Sequence, residues 1–101
     1  MAEGSADGSA GTAVVERPER QRFEMAVEGG LALAYYRPEE GCLVLTHTEV
    51  PQRLSGRGLG SALARGVFAA LRTSGRKAVL RCDFMRAYAA RHPEVQDVVV
   101  G

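Results

Sequence analysis

His47-Thr48-Glu49-Val50-Pro51-Gln52-Arg53-Leu54-Ser55-Gly56-Arg57-Gly58-Leu59-Gly60-Ser61-Ala62-Leu63 links an apolar run, Cys42 to Leu45, to an amphipathic one. The first run reads as a strand and the second as a helix. Three alternate glycines at the junction let the backbone approach a ligand closely, because no Cβ intervenes. The first N–H groups of the helix have no intrahelical partner and point where an anion would sit. A phosphate-bearing cofactor is the expectation from this stretch alone.

Working outward, Phe23 to Val27 alternates apolar and polar, and Glu28-Gly29-Gly30 makes a turn. Leu31 to Tyr36 is a second strand, ended by Pro38-Glu39-Glu40-Gly41. Leu43 to Val50 is a third, stopped by Pro51. Connections this short predict an antiparallel meander. Leu59, Ala62, Leu63, Val67, Ala70 and Leu71 follow helical spacing, and Ser74-Gly75 ends the helix. Lys77 to Cys82 is a fourth strand, reached by a connection long enough for a right-handed parallel crossover around the glycine loop. Phe84 to Arg91 reads as a second helix closed by His92-Pro93, since the residue before a proline disfavours helical backbone. Val98-Val99-Val100 adds a last short strand. The predicted class is α/β, a mixed sheet in the order βββαβαβ over residues 22–101.

Residues 1–21 carry too little apolar periodicity to offset the entropy of ordering and read as a flexible leader. At 101 residues and 46% hydrophobic content the chain makes one small domain with a modest core. A net charge of +1 supplies no global basic field, which argues against bulk nucleic-acid binding. The apolar runs are strand-length, short of the ~20 residues of a membrane helix, and Met1 to Val15 has no secretory pattern. Cys42 and Cys82 have no CxxC or Cys/His spacing for a metal. Reduced thiols in a cytoplasmic protein are expected.

Two phosphate-binding patterns fail. A Walker A loop needs a Gly-Lys-Ser/Thr ending, which is missing, and a dinucleotide fingerprint needs G-x-G-x-x-G, whereas these glycines run Gly56-x-Gly58-x-Gly60. A third pattern is (Gln/Arg)-x-x-Gly-x-(Gly/Ala) between a strand and a helix, and it falls on Ser55 to Gly60. The segment thus resembles motif A of the GCN5-related N-acetyltransferases. Ser55 departs from it, standing where the family has Gln or Arg. The block His47-Thr48-Glu49-Val50-Pro51, together with Cys82 and Tyr88-x-x-x-His92-Pro93, is similar to the small single-domain members of that family.

The resemblance implies an N-acetyltransferase that uses acetyl-CoA, with an unknown amine acceptor, protein or peptide included. The other reading is a CoA-binding module with little turnover. By resemblance, Glu49 and Val50 pair with the pantetheine arm, and the pyrophosphate rests on N–H groups of Gly56, Arg57, Gly58, Leu59, Gly60 and Ser61. Arg53 and Arg57 stand near enough in sequence to contact phosphates, where solvated loop charges are the plainer alternative.

Acyl transfer to an amine needs a base, a polarised carbonyl and an acid for the departing thiolate. His47 and Glu49 share a strand face by the period of two and are the candidate bases. Histidine titrates nearer neutrality than a carboxylate does. Cys82 ends the fourth strand and reads either as a nucleophile activated by a nearby His47 or as a small buried apolar residue. Cys42 reads as structural. Tyr88 is the candidate acid by resemblance; helical spacing with Phe84 equally suits a core position.

Overall fold

The computed structural model describes residues 13–54 and 56–100. Two turns shape its sheet. The first, Glu28-Gly29, joins β2 (Arg22–Val27) to β3 (Gly30–Glu39), and the second, Glu40-Gly41, joins β3 to β4 (Cys42–Glu49). Both are two-residue loops with glycine second, at φ +73° and +78°, so the strands run as the antiparallel hairpins the spacing predicts. After β4 the chain forms α1 (Leu59–Ser74), β5 (Lys77–Leu80) and α2 (Asp83–Arg91). β5 lies parallel to the first half of β4, with Cys42 opposite Lys77 and Leu45 opposite Leu80, so the crossover through α1 returns to the same sheet.

Two expectations are corrected. Val14–Arg17, assigned to the leader, is β1, an edge strand antiparallel to β2. Its inward face holds only one apolar residue, which is why periodicity missed it. Val14 packs over Gly66 of α1, where a Cβ would lie 2.2 Å from the valine. Glu16 accepts bonds from both terminal nitrogens of Arg76, at 3.0 and 2.8 Å, and from the Tyr36 hydroxyl. That carboxylate is anchored by tertiary partners, and no local pattern marks it. Residues 1–12 lie outside the described part.

At the other end, the expected strand over Val98 to Val100 is a 3₁₀ turn, Pro93–Val98, followed by a single parallel bridge from Val99 to Ala78. The observed order is therefore ββββαβα, with sheet order β1-β2-β3-β4-β5. Pro93 cannot continue α2, and Val95 and Val98 turn into the core instead.

Cross-strand partners share a face of a sheet. Phe23, Ala34 and Thr48 share one, as do Leu43 with Ala78 and Tyr36 with Leu45. Both helices cover this face. Leu63, Val67, Phe68 and Leu71 of α1 and Met85, Tyr88 and Ala89 of α2 join one buried cluster with Phe23, Met25, Leu43 and Leu45. Among the described residues no helix covers the opposite face.

Glu16 also has a consequence in acid. Its hydrogen bonds from Arg76 hold its carboxyl below the ordinary value of 4.5, against the opposing effect of burial. A carboxyl lowered by folding stabilises above its unfolded pKa and loses that contribution as pH falls through the folded value. Arg22 beside Glu24 and Arg72 beside Asp97 act in the same direction. Thermal stability is expected to decline once pH drops below about 4.5. Glu16→Gln should cost about 1–2 kcal/mol at neutral pH and flatten the acid limb, read from melting curves between pH 3 and 7. An unchanged limb in that variant would show the network contributes nothing.

Candidate active site

α1 begins without a cap. Gly58, at φ +76°, precedes its first residue, and no side chain bonds to the first turn, which also holds no acidic residue. The first helical bond is Ala62 N–H to the Gly58 carbonyl at 3.1 Å. The N–H groups of Leu59, Gly60 and Ser61 therefore have no partner within the helix. With the helix dipole they present positive potential and no competing carboxylate.

These groups open into a cavity of about 330 Å³. Six residues singled out from sequence line it: Val50, Gly56, Gly58, Leu59, Gly60 and Ser61. Thr48, Leu54 and Phe84 line it too, and sequence reasoning missed them as site residues. Helical spacing had marked Phe84 only as a core candidate. At Gly60 a Cβ would stand 2.7 Å from Cζ of the Phe84 ring. Glycine there lets α2 close the cleft with an aromatic wall. Ser55 lies outside the described residues.

Neither arginine of the loop lines this cavity. The Arg53 guanidinium donates to the Glu28 carbonyl and lies against Gly29. Arg57 pairs with the Glu28 carboxylate at 3.5 Å, with both side chains mostly exposed. Both arginines thus brace the glycine loop against the β2–β3 turn, and the pairing of Arg57 is a weak surface one.

The strand half of the site turns on one irregularity. The β3–β4 register shifts between Tyr35, opposite His47, and Tyr36, opposite Leu45, which leaves Thr46 as an extra residue. Such a bulge reverses the face on which every later side chain falls. In a regular strand His47 and Glu49 would share the inner face of Leu43 and Leu45. Here they stand on the open face, while Thr48 points to the cleft.

His47 Nε2 lies 3.1 Å from Glu49 Oε2, the two side chains being 61% and 54% exposed, and the imidazole stacks on Tyr35. The period of two correctly put the pair on one face; the bulge decided which. The expected His47–Cys82 partnership is corrected by the same feature. Cys82 is 7% exposed, and its Sγ lies 3.0 Å from the Thr48 hydroxyl. His47 faces the other way.

The β4–β5 pairing stops at Leu45 and Leu80, and the N–H groups of Arg81 and Cys82 both reach back to the Leu45 carbonyl. Beyond that point β5 turns off into α2, and among the described residues the β4 edge from Thr46 onward has no strand partner on that side. The cleft therefore leads from the helix N-terminus along a free strand edge to a gap between two strands. Tyr88 sits deeper, stacked between Phe68 at 5.8 Å and His92 at 3.9 Å. Burial raises its hydroxyl above the ordinary range, so it stays protonated at neutral pH. It is not among the cleft-lining residues. Cys42, half-buried, starts β4 and borders a second cavity with Glu16, Tyr36 and Arg76.

The features present fit a cofactor with a polyphosphate and an amide-bearing arm. Unpaired N–H groups at a helix end suit the phosphates, and a free β edge suits the amides. No cluster of metal-ligating side chains and no helix long and apolar enough to cross a membrane occurs among the described residues. Comparison with curated proteins finds no match. The family described as GCN5-related N-acetyl-transferase, by contrast, matches residues 22–98. That span holds the glycine loop, both helices and four of the five strands. The chain belongs to the GCN5-related N-acetyltransferase family.

Proposed function

We propose that the protein binds acetyl-CoA in the cleft beside α1 and transfers the acetyl group to an amine on the open face of the sheet. The observation that carries this reading is the meeting, in one cleft, of an uncapped helix N-terminus and an unpaired strand edge. The N–H groups from Gly56 to Ser61 would hold the pyrophosphate, and the β4 edge at Thr48 to Val50 would pair with the pantetheine amides. When bound, acetyl-CoA supplies an activated acyl group.

The His47–Glu49 pair serves as the base. Glu49 orients the imidazole, which takes the proton that the attacking amine must lose. Cys82 is held by a hydroxyl rather than by a base, which favours direct transfer over a covalent acyl-cysteine. Tyr88 holds α1 and α2 together through its stack. Intact mass after incubation with acetyl-CoA is expected to show no acetyl gain on Cys82. An adduct lost in Cys82→Ala and kept in Cys42→Ala would instead establish the covalent route.

Calorimetry with CoA and acetyl-CoA tests the cofactor, and CoA release with an amine panel tests the transfer. Binding without release on any amine would leave only a CoA-binding module; no binding would end both readings. Gly60→Ala probes the cleft separately from the fold. The half-exposed Phe84 ring can swing away from α1 into the cleft, and alanine suits a helix better than glycine, so stability should hold within about 1 kcal/mol. CoA affinity should fall about tenfold, because the displaced ring enters the cavity. Full affinity in Gly60→Ala would place the cofactor elsewhere.

A further inference from the structure

The open face carries a side-chain row that the reaction leaves unexplained. Arg17, Arg22, Tyr35 and His47 are successive cross-strand partners over β1 to β4. The Arg22 guanidinium lies 5.8 Å from the Tyr35 ring centre, and that ring stacks on His47. In the next row Glu24 is 8% exposed and takes Arg22 at 2.7 Å and Arg17 at 3.3 Å. Arg20 approaches it at 3.8 Å from the turn after β1.

Three guanidinium groups thus meet one carboxylate. With Glu19, their acidic neighbour in sequence, counted beside Glu24, the three arginines still outnumber the two carboxylates. A chain of net charge +1 has gathered a local positive surplus at one end of the row that leads to the His47–Glu49 pair. Arg17 and Arg20 are largely exposed and keep N–H groups to spare, in the fork geometry that suits carboxylates.

Resting on the proposed function, we infer that the acceptor is an acidic peptide, laid across this face with its amine at His47–Glu49 and a carboxylate at Arg17 and Arg20. Strands lie ~4.8 Å apart, so the three spacings from β1 to β4 separate Arg17 from His47 by about 14 Å. An extended peptide covers that in about four residues, which also keeps both side chains on one face. The four cavities defined by the described residues are not lined by Arg22, Tyr35 or His47. A small free amine needs a concave site, whereas a flat face with an aromatic centre suits an extended chain.

The test compares three lysine peptides that differ only in the residue four positions from the lysine: Asp, Asn or Arg. Transfer is followed by CoA release and peptide mass. The Asp peptide should be preferred over the Asn peptide about fivefold in kcat/KM, mostly through KM, and added salt should erode the preference. Arg20→Glu, at a 61% exposed side chain, should at least halve the preference, and Arg17→Glu with Arg20→Glu should abolish it. CoA affinity by calorimetry should stay unchanged in both.

Equal rates on all three peptides overturn the inference, as does a preference that survives Arg20→Glu intact. Acetylation of a small anionic amine with every peptide ignored also overturns it. Loss of CoA binding by the wild-type protein would bring down the proposed function and this inference together; normal CoA binding with charge-blind transfer brings down this inference alone.

Discussion

Phe68→Ala is expected to lower the unfolding free energy by about 3–5 kcal/mol, a large share of what a small domain has. Phe68 is 1% exposed and lies in the middle of α1, its ring 5.8 Å from that of Tyr88 and nearly parallel to it. Truncation removes the aromatic contact and leaves a cavity between the two α-helices. The sheet beneath cannot move up to close it, because its strands are fixed in their hydrogen-bonded pairings. Both walls of the cleft hang on this contact, since α1 supplies the glycine end and α2 supplies Phe84. Phe68→Leu should cost less than half as much, and Tyr88→Phe less than about 1 kcal/mol, because it keeps the ring. Urea titrations of the three variants check the order. A loss below about 1 kcal/mol for Phe68→Ala would mean the helices do not depend on each other.

His47→Gln should reduce kcat about a hundredfold, the usual effect of losing a general base, and Glu49→Gln about tenfold through loss of the orienting bond. Neither change should move stability beyond about 0.5 kcal/mol, given the exposure of both side chains. Because the bulge turns the pair away from the cleft, CoA affinity should be unaffected. The informative result is that split: transfer falls and calorimetric affinity for CoA stays. A variant that keeps its rate but loses CoA affinity would put the imidazole on the cofactor side and contradict the face assignment.

The fold was legible wherever the physics is local. Two glycine turns, helical spacing from Leu59 to Leu71 and the His92-Pro93 stop correctly mark the central strands and both helices. Six loop and strand residues singled out as cofactor-binding candidates line one cavity. β1 was hidden because its inward Glu16 depends on Arg76, sixty positions away. The last strand failed because Val98 is taken into the 3₁₀ turn and buried in the core, which leaves a single bridge from Val99 to Ala78. Phe84 went unread because its partner is the missing side chain of Gly60, which a sequence cannot display as a contact.

For the site itself, the spacing of His47 and Glu49 determines that they lie together, since the period of two is a property of any strand. The glycines at Gly56, Gly58 and Gly60 likewise determine an open helix N-terminus. Only the tertiary structure decided that Thr46 would be extra in the β3–β4 pairing. That one extra residue sends His47 to the open face, gives Thr48 to Cys82, and so divides the cleft side of the sheet from the open side. Strand pairing is a long-range choice, and the face of every residue beyond a bulge follows from it.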